Sequence, residues 1–403
     1  MEHLIQIYRR LLTETKPDYY RKFYRDFSMD NRFVGVVGAR GVGKTTFLLQ
    51  YLREHYGNSE KGLYITADNL YFADHTLLDT ADQFVKLYAG EVLCIDEIHK
   101  YKNWNQELKN IFDSYPHLQV LFSGSSSIDV MKGKYDLSRR AILQQMYGFS
   151  FREYLEFQTG QTYPVLKLQD ILESDSLVDK ELGKTEKVLG HLHEYWRKGY
   201  YPTSNGIETY EAFRDTLIGV IDKIIFEDIS AFYSLKTENL DTFKKIIYFF
   251  ATSEPGSVSI NKLAKSLGKD HATITEYVQI LRDTGLLRFL LIDTYGHALV
   301  RNAEKVYIDN TNLLYAINDA IGKETHVGTV REVFSVSSLE SAGYPVFYSK
   351  NGDITSEGYT FEIGGAGKSA HQIRKVSRAY VLKDDVLYSS LNIRPLYLLG
   401  FLR

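Results

Sequence analysis

A glycine-rich stretch, Gly38-Ala39-Arg40-Gly41-Val42-Gly43-Lys44-Thr45-Thr46, limits what this chain can fold into more than any other feature. The segment before it, Arg32-Phe-Val-Gly-Val-Val37, has the apolar composition of a buried parallel strand. The segment after it, residues 46–56, carries apolar residues at helical spacing and stops at Gly57. A strand that delivers a glycine loop into a helix N-terminus builds an anion cradle. Backbone N–H groups and the positive end of the helix point at the ligand, and glycines let the backbone approach it. The pattern therefore assigns residues 38–46 to ATP binding. It gives Lys44 the β- and γ-phosphates and the Thr45 hydroxyl a Mg²⁺ ion.

Further apolar runs at residues 62–66, 91–95 and 118–122 read as strands, with room for helices between them. That alternation predicts a parallel α/β sheet covered on both faces. The run at 91–95 ends in Asp96-Glu97, which places a carboxylate at a strand tip beside the phosphate loop. Asp96 is the expected metal anchor and Glu97 the group that polarises the attacking water. The run at 118–122 ends in Ser123-Gly-Ser125, where a hydroxyl can hold that water; Ser125 is preferred over Ser123. Arg139 and Arg140 follow the last apolar strand. They read either as a solvated face or as an arginine finger offered to a neighbouring copy of the chain.

Composition narrows the classes. Apolar residues make up 44% and charged residues 25%, as in globular proteins, and 403 residues suffice for two to four domains. A formal charge of −3 weighs against chain-wide polyanion binding and leaves a local basic face open. The single cysteine, Cys94, lies in an apolar run and forms no intrachain disulfide, which suits a core position in a cytoplasmic protein. The first residues lack a signal-peptide pattern, and no apolar run approaches the ~18 residues of a membrane span. The first thirty residues are rich in Tyr and Arg; they suit either packing beside an adenine or an amphipathic flank.

Several stretches resemble archaeal-type AAA+ P-loop ATPases that carry a C-terminal domain of unknown function: GARGVGKTT, VLCIDEIHKYKNWNQELKNIFDSYP, LFSGSSSIDVMKGKYDLSRRA, MYGFSFREYL and the tail FEIGGAGKSAHQI with RPLYLLGFL. The resemblance implies a RecA-like core whose first strand lies between the fourth and the fifth, with the third and second beyond the fourth, followed by a helical lid. It also implies nucleotide and hydrolysis roles for Lys44, Thr45, Asp96 and Glu97, and the finger role for an arginine of the SRRA stretch.

The expected division is a P-loop core at residues 1–155, a helical lid at 156–240, a winged helix-turn-helix at 241–300 and a small α/β nuclease-like domain at 301–403. Helical patterns occupy 165–177, 185–197 and 210–233. Helices at 243–251, 260–267 and 271–284 and a strand at 285–291 have winged-helix spacing. Lys262, Lys265, Lys269, His271, Thr273 and Thr275 place donors where a recognition helix meets duplex DNA. Asp270, Glu276 and Asp283 lie on or beside that helix, so protein docking stays equally open. Farther on, Glu332, Asp353 and Glu362 resemble the acidic framework of restriction-type nucleases. Those enzymes need a lysine two residues after the last acid, and here that position is Gly364. Lys368 can substitute only if its loop folds back, so the expectation is a nuclease-like fold with a degraded site. The leading reading is a Mg²⁺-dependent ATPase; a slow nucleotide-controlled switch and an ATP-dependent nuclease are the alternatives.

Overall fold

The computed structural model describes residues 1–15, 19–57, 59–125, 137, 139–173, 182–233, 235, 237–256, 260–293 and 305–403. The chain divides into two compact units, Met1–Gly148 and Phe149–Arg403.

The first unit is built on five parallel strands, β1 (Phe33–Gly38), β2 (Gly62–Thr66), β3 (Val92–Asp96), β4 (Gln119–Ser125) and β5 (Ala141–Gln145). Their order is β2-β3-β4-β1-β5, the arrangement that the family resemblance implies. Val34, Val36, Leu93, Ile95, Val120 and Phe122 are buried, as strands covered on both faces require. Helices α1 (Glu2–Glu14), α2 (Lys22–Asp26), α3 (Lys44–Tyr56), α4 (Leu77–Tyr88) and α5 (Trp104–Ser114) complete the unit. Gly57 ends α3, and the Thr76 hydroxyl caps α4 by accepting the Asp79 N–H. One expectation is corrected here. Arg139 and Arg140 do not follow the last strand; they lead into β5, a half-exposed edge strand whose polar end hid it in the sequence.

The second unit opens with α6 (Phe151–Thr159), whose Ser150 and Glu153 form a reciprocal capping box. The division expected at residue 155 thus falls inside a helix. Next come α7 (Leu168–Glu173), α8 (Val188–Glu194) and α9 (Tyr210–Lys223). The sequence pattern suggests unbroken α-helix through 197 and 233, yet α8 widens into a π turn at Tyr195–Gly199 and α9 into another at Ile224–Ile229. A side chain from far along the chain accounts for the first. Asn312, 0% exposed, donates to the Tyr195 and Trp196 carbonyls at 2.8 and 2.9 Å and accepts the Tyr200 N–H at 2.9 Å. It replaces helical partners that the wider turn gives up.

Helices α10 (Thr237–Thr252), α11 (Ile260–Leu267) and α12 (His271–Asp283) precede an antiparallel pair, β6 (Leu287–Leu290) with β7 (Lys305–Ile308). The division expected at residue 300 lies between these paired strands. After α13 (Thr311–Ala320) and α14 (Val327–Ser341) comes a second sheet of β8 (Phe347–Tyr348), β9 (Ile354–Ser356), β10 (Tyr359–Gly364), β11 (Ala379–Lys383) and β12 (Ile393–Pro395), ordered β12-β11-β10-β9-β8. The buried turn Leu396–Phe401 then returns to α6, where the Phe401 ring meets Phe151 edge-on. A side chain at Gly400 would collide with Phe151 Cβ at 2.4 Å. Among the described residues, no helix is long and apolar enough to cross a membrane.

Asn312→Ala leaves the Tyr200 N–H and two buried carbonyls without these bonds, so it should cost about 2–4 kcal/mol, read as a lower urea midpoint. A midpoint that does not move would show that the π turn holds itself.

Candidate functional site

The site is assembled at the carboxyl edge of the first sheet. β1 ends at Gly38, where an added Cβ would lie 2.2 Å from the Met146 carbonyl oxygen, so only glycine permits that approach. Gly43 sits at φ 98°, in the left-handed region, and turns the loop into α3. Lys44 is buried, and its ammonium donates to the Gly38 and Ala39 carbonyls at 2.9 and 3.0 Å. Burial pushes its pKa down, while Glu97 and Asp96 pull it back up. A cation so desolvated, beside the N-terminus of α3, is poised for an anion. Arg40 and Val42 complete the loop between them, and Thr45 and Thr46 are exposed at the mouth of α3.

Asp96, buried at the tip of β3, gathers donors from four places. Its Oδ2 accepts from Thr45 Oγ1 at 2.5 Å and Tyr64 Oη at 2.8 Å. Its Oδ1 accepts from Ser123 Oγ and from the Glu97 N–H at 3.1 Å. Burial, then the Asp96 charge, drives the Tyr64 phenol well above its ordinary pKa, so it remains a donor. The structure thus brings together Lys44, Thr45, Asp96 and Glu97, and the oxygen pair of Thr45 and Asp96 suits a hard cation such as Mg²⁺.

Sequence reasoning missed two contributors, Tyr64 and Arg21, and passed over a third, Ser123, in favour of Ser125. Tyr64 and Ser123 hold Asp96, and the buried Arg21 braces the loop by donating to the carbonyls of Val42, Tyr147 and Gly148 at 2.8, 3.0 and 2.7 Å. Strand adjacency was the usable signal for Ser123: β4 pairs Phe122 with Ile95, so the next residue flanks Asp96. Ser125 pairs in register with Gly38, and its side chain lies outside the described residues. Arg139 is exposed, whereas Arg140 pairs with Asp113 at 3.2 Å over the Phe112 ring.

Glu97 adopts φ 50° and ψ 41°. Its Oε2 lies 3.3 Å from His99 Nε2 and 4.0 Å from Arg40 Nη1. Burial raises its carboxyl pKa, and the Lys44 charge opposes that rise. Cys94 is buried with its thiol pKa raised by desolvation, consistent with a core position.

The acidic set of the second unit also converges. Lys368 folds back onto Glu362 Oε1 at 2.7 Å, and Gly364 makes room for it, since a Cβ there would meet the lysine stem at 2.6 Å. Lys305, unforeseen in the sequence, lies 2.8 Å from Glu332 Oε2 and 3.7 Å from Asp353 Oδ1. Asp353 Oδ2 accepts the Ile363 N–H at 2.7 Å, and Tyr307 Oη donates to Glu332 at 2.6 Å. Two ammonium groups already sit on these carboxylates, so the set does not fit a divalent ion as arranged. Elsewhere in this unit, His193, Asp384 and Asp385 hold ligand-type atoms within 4.8 Å of one another. Arg331 shares both aspartates, at 3.0 and 3.9 Å, and supplies the positive charge there.

The first unit is an α/β fold with a five-stranded parallel sheet and a phosphate loop, and residues 30–155 match the family described as AAA domain. Residues 189–324 match a domain of unknown function (DUF8612). Two uncharacterized proteins of Methanocaldococcus jannaschii are similar, at 27% and 24% identity over 67% and 69% of this chain. The matched stretches span 59% and 60% of those relatives' own length. Among solved structures, replication initiator DnaA bound to AMPPCP and single-stranded DNA is 16% identical with a TM-score of 0.28, over 68% of this chain and 86% of that one. C. elegans PCH-2 is 12% identical with a TM-score of 0.24, over 67% of each chain.

The His193 contact carries a pH signature. Its hydrogen bond to Asp384 raises the imidazole pKa, so the stability it adds is full below the ordinary value of 6.5 and is lost as pH rises through the raised one. Burial favours the neutral form of Asp384, but hydrogen bonds from His193, the Asp385 N–H and Arg331 hold its pKa below 3.8. Its contribution therefore fades only in stronger acid. Urea midpoints should fall on the alkaline side of a neutral plateau, and His193→Gln should flatten that fall.

Proposed function

We propose that the chain is a Mg²⁺-dependent ATPase, with nucleotide state passed on to the second unit. The observation that carries this reading is the convergence of Lys44, Thr45 and Asp96 on one edge, with Glu97 next in the chain. Lys44 and the N–H groups of the loop at residues 38–46 hold the β- and γ-phosphates. Thr45 and Asp96 hold the metal, which when bound screens charge on the phosphates. Tyr64 and Ser123 keep the Asp96 carboxylate aimed. Glu97, ionised, takes a proton from the attacking water. Arg139 serves a second copy of the chain as its finger residue.

In the second unit, three helices and an antiparallel pair follow winged-helix order, and the exposed Lys262, Lys265 and His271 suit contact with duplex DNA. Asp270 caps α12 through the Thr273 N–H at 2.9 Å, and its hydrogen bonds keep it ionised, so with Glu276 and Asp283 it weighs against that contact. Residues 301–403 serve as a nuclease-like scaffold without cleavage activity, a reading supported by the lysines seated on Glu332, Asp353 and Glu362.

Calorimetry should register Mg²⁺–ATP binding to the wild type and none to Lys44→Ala. Glu97→Gln should bind normally and turn over about 10²–10⁴ times more slowly. Absence of binding heat from folded wild type, or unchanged turnover in Glu97→Gln, would overturn the ATPase reading. Supercoiled plasmid incubated with protein and Mg²⁺ should stay intact; nicking that Asp353→Ala and Glu362→Ala both abolish would reinstate the nuclease.

A further inference from the structure

We infer that the connection between β10 and β11 is a docking surface for the phosphodiester backbone of nucleic acid, with Arg374 and Lys375 as the cations that meet the phosphates. Nothing in it depends on the ATPase reading, and it gives the nuclease-like scaffold a task other than cleavage.

Charge sets this stretch apart. Residues 364–383 hold Lys368, Arg374, Lys375, Arg378 and Lys383 and no Asp or Glu, in a chain whose acids outnumber its bases by 51 to 48. The chain-wide charge of −3 therefore conceals a local face of the opposite sign.

The fold presents that face on a held frame. β10 and β11 are parallel neighbours, so the chain between them has to cross back along the sheet before it can pair. Ile373, 1% exposed, anchors the middle of the crossing in the core, and the Val376 N–H closes a turn on the Ile373 carbonyl at 2.9 Å. Glu362 of β10 holds the near half. Lys368 Nζ lies 2.7 Å from its Oε1, and the Gln372 amide, with its nitrogen turned to the acid, donates to both carboxylate oxygens at 2.8 and 2.9 Å. Lys383 Nζ reaches across from β11 to the Ala366 carbonyl at 2.8 Å. The acid that resembles a nuclease ligand is thus occupied in bracing the loop, and a braced loop loses little freedom when a ligand arrives.

The cations divide into those that brace and those that remain. Lys368 and Lys383 are bonded inward, and Arg378 lies over the Tyr359 ring, 5.4 Å from its centroid. Arg374, Lys375 and His371 are exposed, and among the described residues none of the three has an ion-pair or hydrogen-bond partner. The acids that follow the stretch do not cancel them. Asp384 is buried against Arg331 and His193, and Asp385 lies 3.9 Å from each of the same two groups.

The neighbours of the free cations favour nucleic acid over a lipid surface. No large apolar side chain is exposed within residues 364–383, so the stretch lacks the wedge that an acyl layer would take. Its exposed Ser369, His371 and Ser377 are donors of the kind that contact phosphate oxygens. Such contacts position a strand without reading its sequence.

The test follows fluorescence anisotropy of a labelled DNA duplex and of one of its separated strands, titrated with the full chain across a range of salt. Wild type should bind with an affinity that falls steeply as salt rises. Arg374→Gln with Lys375→Gln should weaken binding about tenfold or more and lower the salt slope by about 2, with the melting temperature unchanged. Arg374→Lys with Lys375→Arg, which keeps both charges, should stay within about twofold of wild type. Lys262→Gln with Lys265→Gln distinguishes this surface from the face of α11. Should that pair carry the whole loss and the 374–375 pair none, the inference falls while the contact at α11 and α12 stands. Wild type that shows no salt-dependent binding would also overturn it, as would an equal loss in the charge-keeping pair, or capture by phosphatidylserine vesicles in place of either nucleic acid. Preference for the duplex or for the single strand supports the surface in both cases and identifies which form it holds.

Discussion

The first unit depends on the Asp96 carboxylate as the place where separate elements are tied to one another. Thr45 reaches it from α3, Tyr64 from β2, Ser123 from β4 and the Glu97 N–H from the turn beyond β3. A buried carboxylate is tolerable only when its lone pairs are occupied, and here the donors that occupy them come from four different segments. The arrangement of the phosphate loop relative to the sheet is thereby fixed by one side chain. The backbone reinforces it, since Gly38 sits against Met146 and Arg21 ties the Val42 carbonyl to those of Tyr147 and Gly148.

That arrangement concentrates buried charge, and burial decides how each group behaves. Desolvation lowers the Lys44 pKa and raises that of Glu97, so each moves toward its neutral form. Their mutual attraction works against both shifts. An incoming polyphosphate with its metal supplies countercharges for both signs, which is why groups that are costly in isolation suit a binding site. Conformational strain accompanies them: Gly43 accepts its left-handed backbone freely, but Glu97 does not, and pays for it with its hydrogen bonds to Asp96 and Lys100.

What the sequence revealed and what it concealed follow from the range of the interactions. The glycine loop, Lys44 and Thr45 are a local pattern, because strand, loop and helix are consecutive and chemistry demands that spacing. Asp96 and Glu97 were legible for the same reason, as acids that end an apolar run. Tyr64 was not, because it meets Asp96 across 32 residues through the pairing of β2 with β3, and nothing in its neighbourhood sets it apart from other tyrosines. Asn312 acts across 117 residues to bracket the Tyr195 carbonyl, so the helical periodicity of α8 gave no hint of a π turn. Lys305 escaped because its partners Glu332 and Asp353 come from a later helix and the bend before β9. β5 escaped for a different reason: an edge strand needs only one apolar flank, and its pattern blends into the preceding arginines.

The lysines of the two units differ in the groups they are seated on. Lys44 gives its protons to carbonyl dipoles, which satisfy hydrogen bonds but carry no full charge. The carboxylates of Glu97 and Asp96 act on it through charge without being seated on its ammonium. Lys305 and Lys368 sit on the carboxylates of Glu332 and Glu362, which meet both needs at once. An anion or a metal arriving there would have to break an existing ion pair, at a cost that surface pairs do not exact. The folding back of the loop from Gly364 to Lys368 therefore has a consequence opposite to the one its resemblance to nucleases suggests. It brings the lysine to the acid, so that Lys305 and Lys368 offset two of the three negative charges of Glu332, Asp353 and Glu362. The distinction rests on where the proton donors point: at backbone carbonyls for Lys44, and at carboxylates for Lys305 and Lys368.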